Sequence, residues 1–301
     1  MSIFAPSKEK MAHKAGFVSI VGSPNVGKST LMNRLMGEKL SIVTSKAQTT
    51  RHRILGIMNE DEYQIVFSDT PGVVNSAYKL HDQMMTYVNT SLQDADVLLF
   101  ITDIYEDEMN HVETLEKISK MKVPVLLLVN KMDKSDQEKL GERLTYWQEK
   151  LPNAEIMPIS ALHGFAIQGV LDRIVELLPE SPAYYDKDAI SDRPMRFFVS
   201  EIIREKVFIH TRKEVPYATQ VEIEEYIEEE SITKIRALII VERDTQRGII
   251  IGKGGEMLKR IGREARLEIE KFIDQKVFLD TYVKVDKDWR ASDQKLKKYG
   301  Y

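Results

Sequence analysis

A glycine-rich segment near the start of the sequence has the residue types that phosphate binding requires. Residues 22–29 read GSPNVGKS and follow a short apolar run, Phe17–Val21. In such a loop the backbone NH groups face phosphate oxygens, the lysine adds positive charge, and the serine hydroxyl can ligate Mg2+. We therefore expect a nucleotide to bind through the loop and the residue after it: Gly22, Asn25, Val26, Gly27, Lys28, Ser29 and Thr30.

A second polar segment follows a later predicted strand. Residues 69–72 read DTPG and come after the apolar run Gln64–Phe67. A carboxylate at the end of a strand can hold the water of a metal ion, and a glycine amide can reach a γ-phosphate. This pattern is common by chance, so its weight comes from its place downstream of the phosphate loop. We expect Asp69 at the metal and Gly72 at the phosphate.

The residues that select the base follow the most apolar run of the sequence, Val125–Val129. Residues 130–133 read NKMD, which places them at the carboxyl edge of a sheet, where open α/β folds bind ligands. An aspartate there can accept hydrogen bonds from two adjacent donors on guanine, a pair that adenine lacks. We expect Asp133 to read guanine beside Asn130 and Lys131. After another predicted strand, Ser160 and Ala161 complete the pocket with a backbone NH group.

Between the phosphate loop and Asp69 lies a polar stretch, residues 45–52, that reads SKAQTTRH and has neither helical nor strand periodicity. We call it the switch segment. Thr49 or Thr50 can supply a second hydroxyl ligand to Mg2+ only when a γ-phosphate is present. The alternative is an ordinary solvated surface loop.

Composition limits the classes of protein that the chain can belong to. Its 301 residues are 43% hydrophobic and 30% charged, which is ordinary for globular domains, and the length suggests two of them. The sequence has no cysteine, which excludes disulfides, thiolate zinc sites and a cysteine nucleophile and favours a reducing compartment. No apolar run approaches the roughly 20 residues that span a bilayer. We expect a cytoplasmic protein and a monomer.

The order of predicted elements divides the chain into two domains. Short apolar strands alternate with helical patterns over residues 16–178, which predicts an α/β fold with a doubly wound sheet after an N-terminal extension, residues 1–15. Residues 179–194 hold three prolines without sustained periodicity and are interpreted as a linker. The remainder, residues 195–301, predicts a small α+β domain. Its helices are Met195–His210 and Glu256–Ile273, and its strands are Thr219–Tyr226, Lys234–Val241 and Val277–Val285.

A second glycine-rich loop lies in this smaller domain. Three isoleucines lead into Gly252, Lys253, Gly254 and Gly255, and the next stretch carries apolar residues at helical spacing. Glycines at such a loop let a nucleic-acid backbone approach closely. Lys259, Arg263 and Arg266 share one face of the following helix, which suits RNA binding. The alternative is a solvated charged face.

These segments together resemble the Era family of GTPases over nearly the whole chain. The first match is the spacing of residues 48–52, QTTRH, and 69–72, DTPG. The second is the run of residues 184–206 followed by the GKGG loop of a KH domain. The resemblance implies a P-loop GTPase domain followed by a KH domain that binds small-subunit ribosomal RNA near its 3′ end and serves ribosome assembly. It makes Thr50 the switch ligand of Mg2+. We therefore expect Ser29, Thr50 and Asp69 at the metal, and Lys28, Thr50 and Gly72 at the reacting phosphate.

Hydrolysis requires a separate explanation, because Val73 stands where many small GTPases place a glutamine that orients the attacking water. Backbone groups, a water network, a partner or a cation must replace it, and we expect slow intrinsic turnover. Related GTPases with an asparagine at the position of Asn25 use K+ beside the phosphates. The resemblance also implies peripheral association with the inner face of the cytoplasmic membrane. The competing hypothesis is an RNA-binding module or chaperone whose nucleotide domain barely hydrolyses GTP.

Overall fold

The first part of the chain folds around a six-stranded sheet. The computed structural model describes residues 13–74, 77–106 and 112–301, so most of the expected N-terminal extension lies outside the described residues. The strands run in the order β2-β3-β1-β4-β5-β6, and only β2 is antiparallel to its neighbour. Their bounds are β1 (Lys14–Val21), β2 (Ile54–Asn59), β3 (Tyr63–Asp69), β4 (Val97–Asp103), β5 (Val125–Asn130) and β6 (Glu155–Pro158).

Helices cover both faces of this sheet, which confirms the predicted α/β fold. They are α1 (Lys28–Met36), α2 (Lys79–Asp94), α3 (Val112–Ser119), α4 (Gln137–Lys150) and α5 (Ile167–Leu177). Residues of α1 and α5 share one apolar core, and residues of α2, α3 and α4 share the core on the other face. Because both faces are covered, every residue of β4 is buried. Because β1, β3, β4, β5 and β6 are parallel, their carboxyl ends meet at one edge of the sheet.

The segment predicted as a linker is packed along the first sheet. The buried Gln64 amide oxygen accepts hydrogen bonds from the Tyr184 and Tyr185 amides at 2.7 and 3.0 Å. Further along, the Ile57 amide donates to the Ile190 carbonyl, and the Ser191 hydroxyl donates to a carbonyl of β2. The segment between the domains is thus attached to the edge of the sheet formed by β2 and β3.

The second part of the chain folds around a three-stranded sheet, ordered β7-β8-β9, in which β8 is antiparallel to β7 and parallel to β9. Helices α6, α7 and α8 contribute to the apolar core of this domain. Its elements are α6 (Met195–His210), β7 (Gln220–Glu228), β8 (Thr233–Val241), α7 (Asp244–Ile251), α8 (Glu256–Ile273), β9 (Val277–Val285) and α9 (Asp293–Lys298). The bounds of α6, α8 and β9 agree with the sequence prediction, whereas α7 was not predicted and completes the order αββααβ.

The two domains share an apolar contact. Leu80 and Met84 of α2 pack with Leu238 and Ile240 of β8 and with the buried Trp289. The Trp289 indole donates to the Ala218 carbonyl at 2.9 Å, which fixes the segment before α9. Among the described helices, none combines the length and the apolar composition needed to cross a lipid bilayer.

Candidate nucleotide site and nucleic-acid loop

The phosphate loop joins β1 to α1 at the carboxyl edge of the sheet. Gly27 has φ of 106°, and a Cβ atom there would overlap the Asn130 amide, so the position requires glycine. The ammonium group of Lys28 donates to the Gly22 carbonyl at 3.0 Å and to the Ser23 carbonyl at 2.8 Å. Burial lowers the pKa of Lys28 to about 8, although the charge of Asp69 opposes the shift. Lys28 therefore carries most of its positive charge at neutral pH.

The three predicted metal ligands lie together at the start of α1. The hydroxyl oxygens of Ser29 and Thr50 are 2.8 Å apart, and Ser29 also donates to Asp69 Oδ2 at 2.7 Å. The second oxygen of Asp69, Oδ1, is buried without a hydrogen-bond partner among the described residues. Burial raises the pKa of Asp69, while the Ser29 hydrogen bond and the charge of Lys28 oppose that shift. Two hydroxyls and a carboxylate with an unsatisfied oxygen fit Mg2+, which prefers hard oxygen ligands.

Gly72 lies against the phosphate loop. A Cβ atom at Gly72 would be 2.8 Å from Pro24 Cα, so any side chain would push the two segments apart. The following amide, of Val73, donates to the Gly22 carbonyl at 3.2 Å. The Val73 side chain is buried in the apolar core with Val21 and provides no polar group to the site.

The base-selecting residues are joined to the phosphate loop by direct hydrogen bonds. The Asn130 amide donates to the Val26 carbonyl at 2.7 Å and accepts from the Ala161 amide at 2.9 Å. The Lys131 ammonium donates to the Asn25 carbonyl at 2.8 Å and pairs with Asp103. The predicted backbone donor of Ala161 is thus engaged by Asn130 in this arrangement.

Asp133 is held by the side chain of Ser160. The Ser160 hydroxyl donates to Asp133 Oδ1 at 2.6 Å. This hydrogen bond is the main cause that lowers the pKa of Asp133, and it keeps the carboxylate ionised and oriented. His163 Nε2 lies 3.6 Å from the second oxygen of Asp133. Ser160 therefore contributes its hydroxyl, a role that the sequence interpretation assigned only to backbone.

A cavity of about 420 Å3 runs between these groups, a size suited to a nucleotide. The phosphate loop and Thr30 line one end, Asn130, Lys131 and Asp133 line the other, and the switch segment covers one side. The side chain of Val26 is buried in the core and reaches the site only through its carbonyl. The structure thus brings most of the predicted phosphate and base residues to one cavity, but Gly22, Asp69, Ser160 and Ala161 are not among the residues that line it.

Three residues of this region escaped the sequence interpretation. Arg34 of α1 donates to the Leu162 carbonyl at 2.6 Å, which attaches the loop after β6 to the phosphate-loop helix. Glu106 accepts hydrogen bonds from the hydroxyls of Ser23 and Thr102, and Asp103 pairs with Lys131. No local motif marks these residues, because each acts through a partner distant in sequence.

The second glycine-rich loop protrudes between α7 and α8. Gly252, Gly254 and Gly255 all have positive φ, and open space surrounds Gly254 and Gly255. Lys253 is exposed at the tip of the loop. The absence of side chains and the exposed lysine leave room for a sugar-phosphate backbone to approach.

The helix after this loop presents an apolar face inward and a basic face outward. Ile261, Ala265 and Ile269 are fully buried at intervals of four residues, as their spacing predicts. Lys259 and Arg263 are exposed, whereas Arg266 pairs with Glu270 at 3.1 Å. The basic surface beside the loop therefore consists mainly of Lys259, Arg263 and the neighbouring exposed Arg260.

A phosphate loop after the first strand and an aspartate-containing base segment after β5 define a P-loop GTPase domain. The αββααβ order with its glycine loop defines a KH domain. Comparison with known proteins agrees. Residues 17–131 match the family model described as a 50S ribosome-binding GTPase, and residues 214–290 match that of the KH domain.

The particular family follows from relatives that match nearly the whole chain. GTPase Era of Clostridium acetobutylicum is 47% identical over 290 residues, which are 96% of this chain and 98% of that protein. GTPase Era of Staphylococcus haemolyticus is 44% identical over 291 residues, with coverage of 96% and 97%. The chain belongs to the GTPase Era family and is a GTPase.

Solved structures agree with this assignment. Era in complex with MgGDPNP and nucleotides 1506–1542 of 16S ribosomal RNA superposes with a TM-score of 0.92 at 39% identity, covering 96% of this chain and 99% of that one. A variant of Aquifex aeolicus Era bound to GDP and AlF4− gives 0.91 at the same identity and coverage.

Proposed function

We propose that this GTPase is a switch that binds small-subunit ribosomal RNA and acts in assembly of the small ribosomal subunit. The observation that carries the proposal is the exposed glycine loop, residues 252–255, beside Lys259 and Arg263, in the same chain as a complete nucleotide cavity. The relative solved with a 16S ribosomal RNA fragment supports RNA as the ligand of the second domain.

Within the nucleotide cavity we assign the phosphate end to the loop and Lys28. Lys28 is buried and positively charged, so it can move from the loop carbonyls to a β- or γ-phosphate oxygen. Gly72 lies against the phosphate loop, and its amide would donate to the γ-phosphate. Ser29, Thr50 and Asp69 would hold Mg2+, which neutralises charge on the phosphates. Thr50 belongs to the switch segment and would ligate Mg2+ only when a γ-phosphate is present, so this contact would mark the triphosphate state.

The base end is assigned to Asp133, whose ionised carboxylate accepts from the two adjacent donors of guanine. Ser160 positions that carboxylate, and Asn130 ties the base-selecting segment to the phosphate loop. Asn130 and Lys131 thus set the spacing between the two ends of the cavity. GTP and GDP are the nucleotides that fit both ends.

Hydrolysis in this site proceeds without a glutamine after Gly72, since the buried Val73 cannot orient water. We propose that K+ bound beside Asn25 assists. The Asn25 side chain lies within hydrogen-bond distance of backbone in residues 45–47, so a cation there would contact both the phosphate loop and the switch segment. We further propose a cytoplasmic monomer. Peripheral membrane association rests on the family resemblance alone.

Phosphate release tests the proposal. The purified protein is assayed with GTP and ATP, in sodium and potassium buffers, with and without an RNA fragment of the 3′ end of 16S ribosomal RNA. We expect turnover with GTP only, and faster turnover in potassium. A 23S fragment serves as the matched control, because one matching family model is named for the large subunit. Tighter binding of the 23S fragment would contradict the small-subunit assignment.

A double substitution separates the two domains. Lys253→Asp with Gly254→Asp places two negative charges in the exposed loop and should abolish binding of the 16S fragment while leaving GDP affinity unchanged. RNA binding that survives this change would exclude the glycine loop as the RNA site. Absence of GTP turnover under every condition would favour the competing hypothesis of an RNA-binding module with a barely active nucleotide domain.

A further inference from the structure

The switch segment is attached to the second domain on both sides of Thr50. Before Thr50, the Thr49 carbonyl accepts a hydrogen bond of 2.5 Å from Arg204 of α6. After Thr50, the Arg51 guanidinium crosses the boundary in the opposite direction and donates to the carbonyls of Pro216, Tyr217 and Thr219. The expected switch ligand therefore lies between two arginines that join the domains.

These contacts are buried and rigid. Arg51 and Arg204 are each about 1% exposed, and both guanidinium groups lie over the ring of Phe208, at 5.6 and 5.1 Å. Arg204 forms two hydrogen bonds with the carboxylate of the buried Glu201, one turn earlier on α6. Burial is the largest influence and would raise the pKa of Glu201, but the charge and hydrogen bond of Arg204, together with the charges of His52 and Arg51, lower that pKa overall. A bidentate pair of this kind fixes the guanidinium plane.

The residue after Arg51 adds a further contact. The His52 ring stacks on Tyr301 with centroids 4.3 Å apart and meets Phe197 edge-on at 5.4 Å. Consecutive residues of the switch segment, from Thr49 to His52, thus contact or neighbour the second domain. A solvated loop would have no such constraint, so the contacts determine where the Thr50 hydroxyl lies.

We propose that Arg204, a residue of the KH domain, is a positioning residue for the GTPase site. By holding the Thr49 carbonyl, it keeps the Thr50 hydroxyl 2.8 Å from the Ser29 hydroxyl and within the oxygen cluster that includes Asp69. Arg204 itself is not among the residues that line the nucleotide cavity. The inference rests on the proposed role of Thr50 as the triphosphate-dependent ligand of Mg2+.

Two consequences follow for the nucleotide. Loss of the Arg204 contact should weaken binding of Mg2+ with a triphosphate, because only that state uses Thr50. Binding of GDP should be spared, because the phosphate loop and Asp133 do not depend on Arg204. The KH domain would in this way bias the nucleotide state of the other domain without touching the ligand.

The test measures affinity by titration of a fluorescent non-hydrolysable GTP analogue and of fluorescent GDP, each over a range of Mg2+ concentrations. Arg204→Lys keeps a positive charge opposite Glu201 but lacks the planar fork. The double variant Glu201→Gln with Arg204→Met removes both charges together, so no unpaired buried charge is left. Arg196→Ala, an exposed residue of the same helix, is the matched control.

We expect both Arg204 variants to bind the GTP analogue about tenfold more weakly, the effect of one charge-assisted hydrogen bond. GDP affinity should change less than about twofold, and the Mg2+ concentration needed for half-saturation with the analogue should rise. Equal weakening of both nucleotides, or no weakening, would overturn the positioning role. If the unsubstituted protein bound neither nucleotide, the proposed function itself would fail, which is a different result.

Discussion

Ser160 Oγ donates to Asp133 Oδ1 at 2.6 Å, so the carboxylate expected to read guanine is oriented by a residue 27 positions later in the chain. The pair joins the ends of two neighbouring parallel strands, β5 and β6. Base selection in this protein therefore depends on the register of two strands as well as on one side chain.

Asp133→Asn should exchange the preferred base. An amide replaces one acceptor with a donor, which mismatches guanine and matches xanthine, where a carbonyl stands in place of the amino group. We expect GTP affinity to fall by about a hundredfold or more and xanthosine triphosphate to bind in its place. Calorimetric titration with both nucleotides measures the exchange.

Asp136→Asn is the control for this change, because Asp136 caps α4 by accepting from the Lys139 amide and lies outside the cavity lining. It should reduce thermal stability slightly and leave the choice of base intact. A selective loss of GTP binding in this control would argue against the assignment of Asp133.

Ser160→Ala should change the pH dependence of guanine binding. The Ser160 hydrogen bond lowers the pKa of Asp133, so the wild-type carboxylate stays ionised further into acid. Without the hydroxyl that pKa rises, and affinity is lost at a higher pH as the solution is acidified. In GDP titrations between pH 4 and 7, the variant should begin to lose affinity at a higher pH than the wild-type protein, with little difference in affinity at neutral pH. The same pH dependence of GDP affinity in both proteins would contradict this role of Ser160.

Val73→Gln should fail to accelerate hydrolysis, although it introduces the residue that many small GTPases use. Val73 is buried among apolar residues, so the new amide would be placed in the core rather than beside the phosphates. We expect a loss of about 1–3 kcal/mol of stability and no gain in single-turnover rate. Val73→Ala separates lost packing from the cost of the buried amide. A faster variant would show that the segment after Gly72 repacks with its side chain in the cavity.

Lys259→Ala should reduce the salt dependence of RNA binding. If its ammonium neutralises one phosphate of single-stranded RNA, the slope of log affinity against log salt should become shallower by about 0.7. Lys271 lies near the far end of the same helix, and Lys271→Ala should leave the slope unchanged. Fluorescence anisotropy at four salt concentrations gives both slopes.

The sequence predicted the elements whose patterns are periodic and local. The α8 bounds follow from apolar residues at helical spacing, and β4 and β5 follow from continuous apolar runs. Three elements, β2, α7 and α9, are absent from the prediction, and α7 is only eight residues long and contains Gly248. β2 is a short antiparallel strand whose partner β3 supplies its pairing, and α9 is a short helix stabilised by contacts of Leu296 with Trp289 and α2.

The contacts between the two domains could not be predicted from local sequence patterns. Glu201 and Arg204 look like ordinary surface charges of a helix, yet both are buried because they meet the switch segment some 150 residues earlier in the chain. A periodicity argument treats charge as a sign of solvent exposure and therefore places such residues wrongly. Helical spacing predicts that the two can pair, but only the folded chain shows that the pair faces the switch segment.

Gln64→Ala should release the segment between the domains. The Gln64 amide is almost fully buried and bonds both Tyr184 and Tyr185, so its loss leaves partly buried backbone groups of both tyrosines unpaired. We expect a loss of about 2–3 kcal/mol in stability and faster proteolytic cleavage within residues 180–193. Thermal unfolding and limited proteolysis measure the two effects, and Glu62→Ala on the nearby exposed turn is the control.

The attachment of residues 181–191 to the first sheet restricts how the RNA-binding half can move. Residues 181–191 are held by hydrogen bonds to the first domain and cannot act as a flexible linker. Rotation of the second domain relative to the first would therefore take place about the backbone bonds near Pro194, where α6 begins. Because Arg204 lies on α6 after Pro194, a small rotation of the second domain about this point would move α6 and displace the contact between Arg204 and the Thr49 carbonyl.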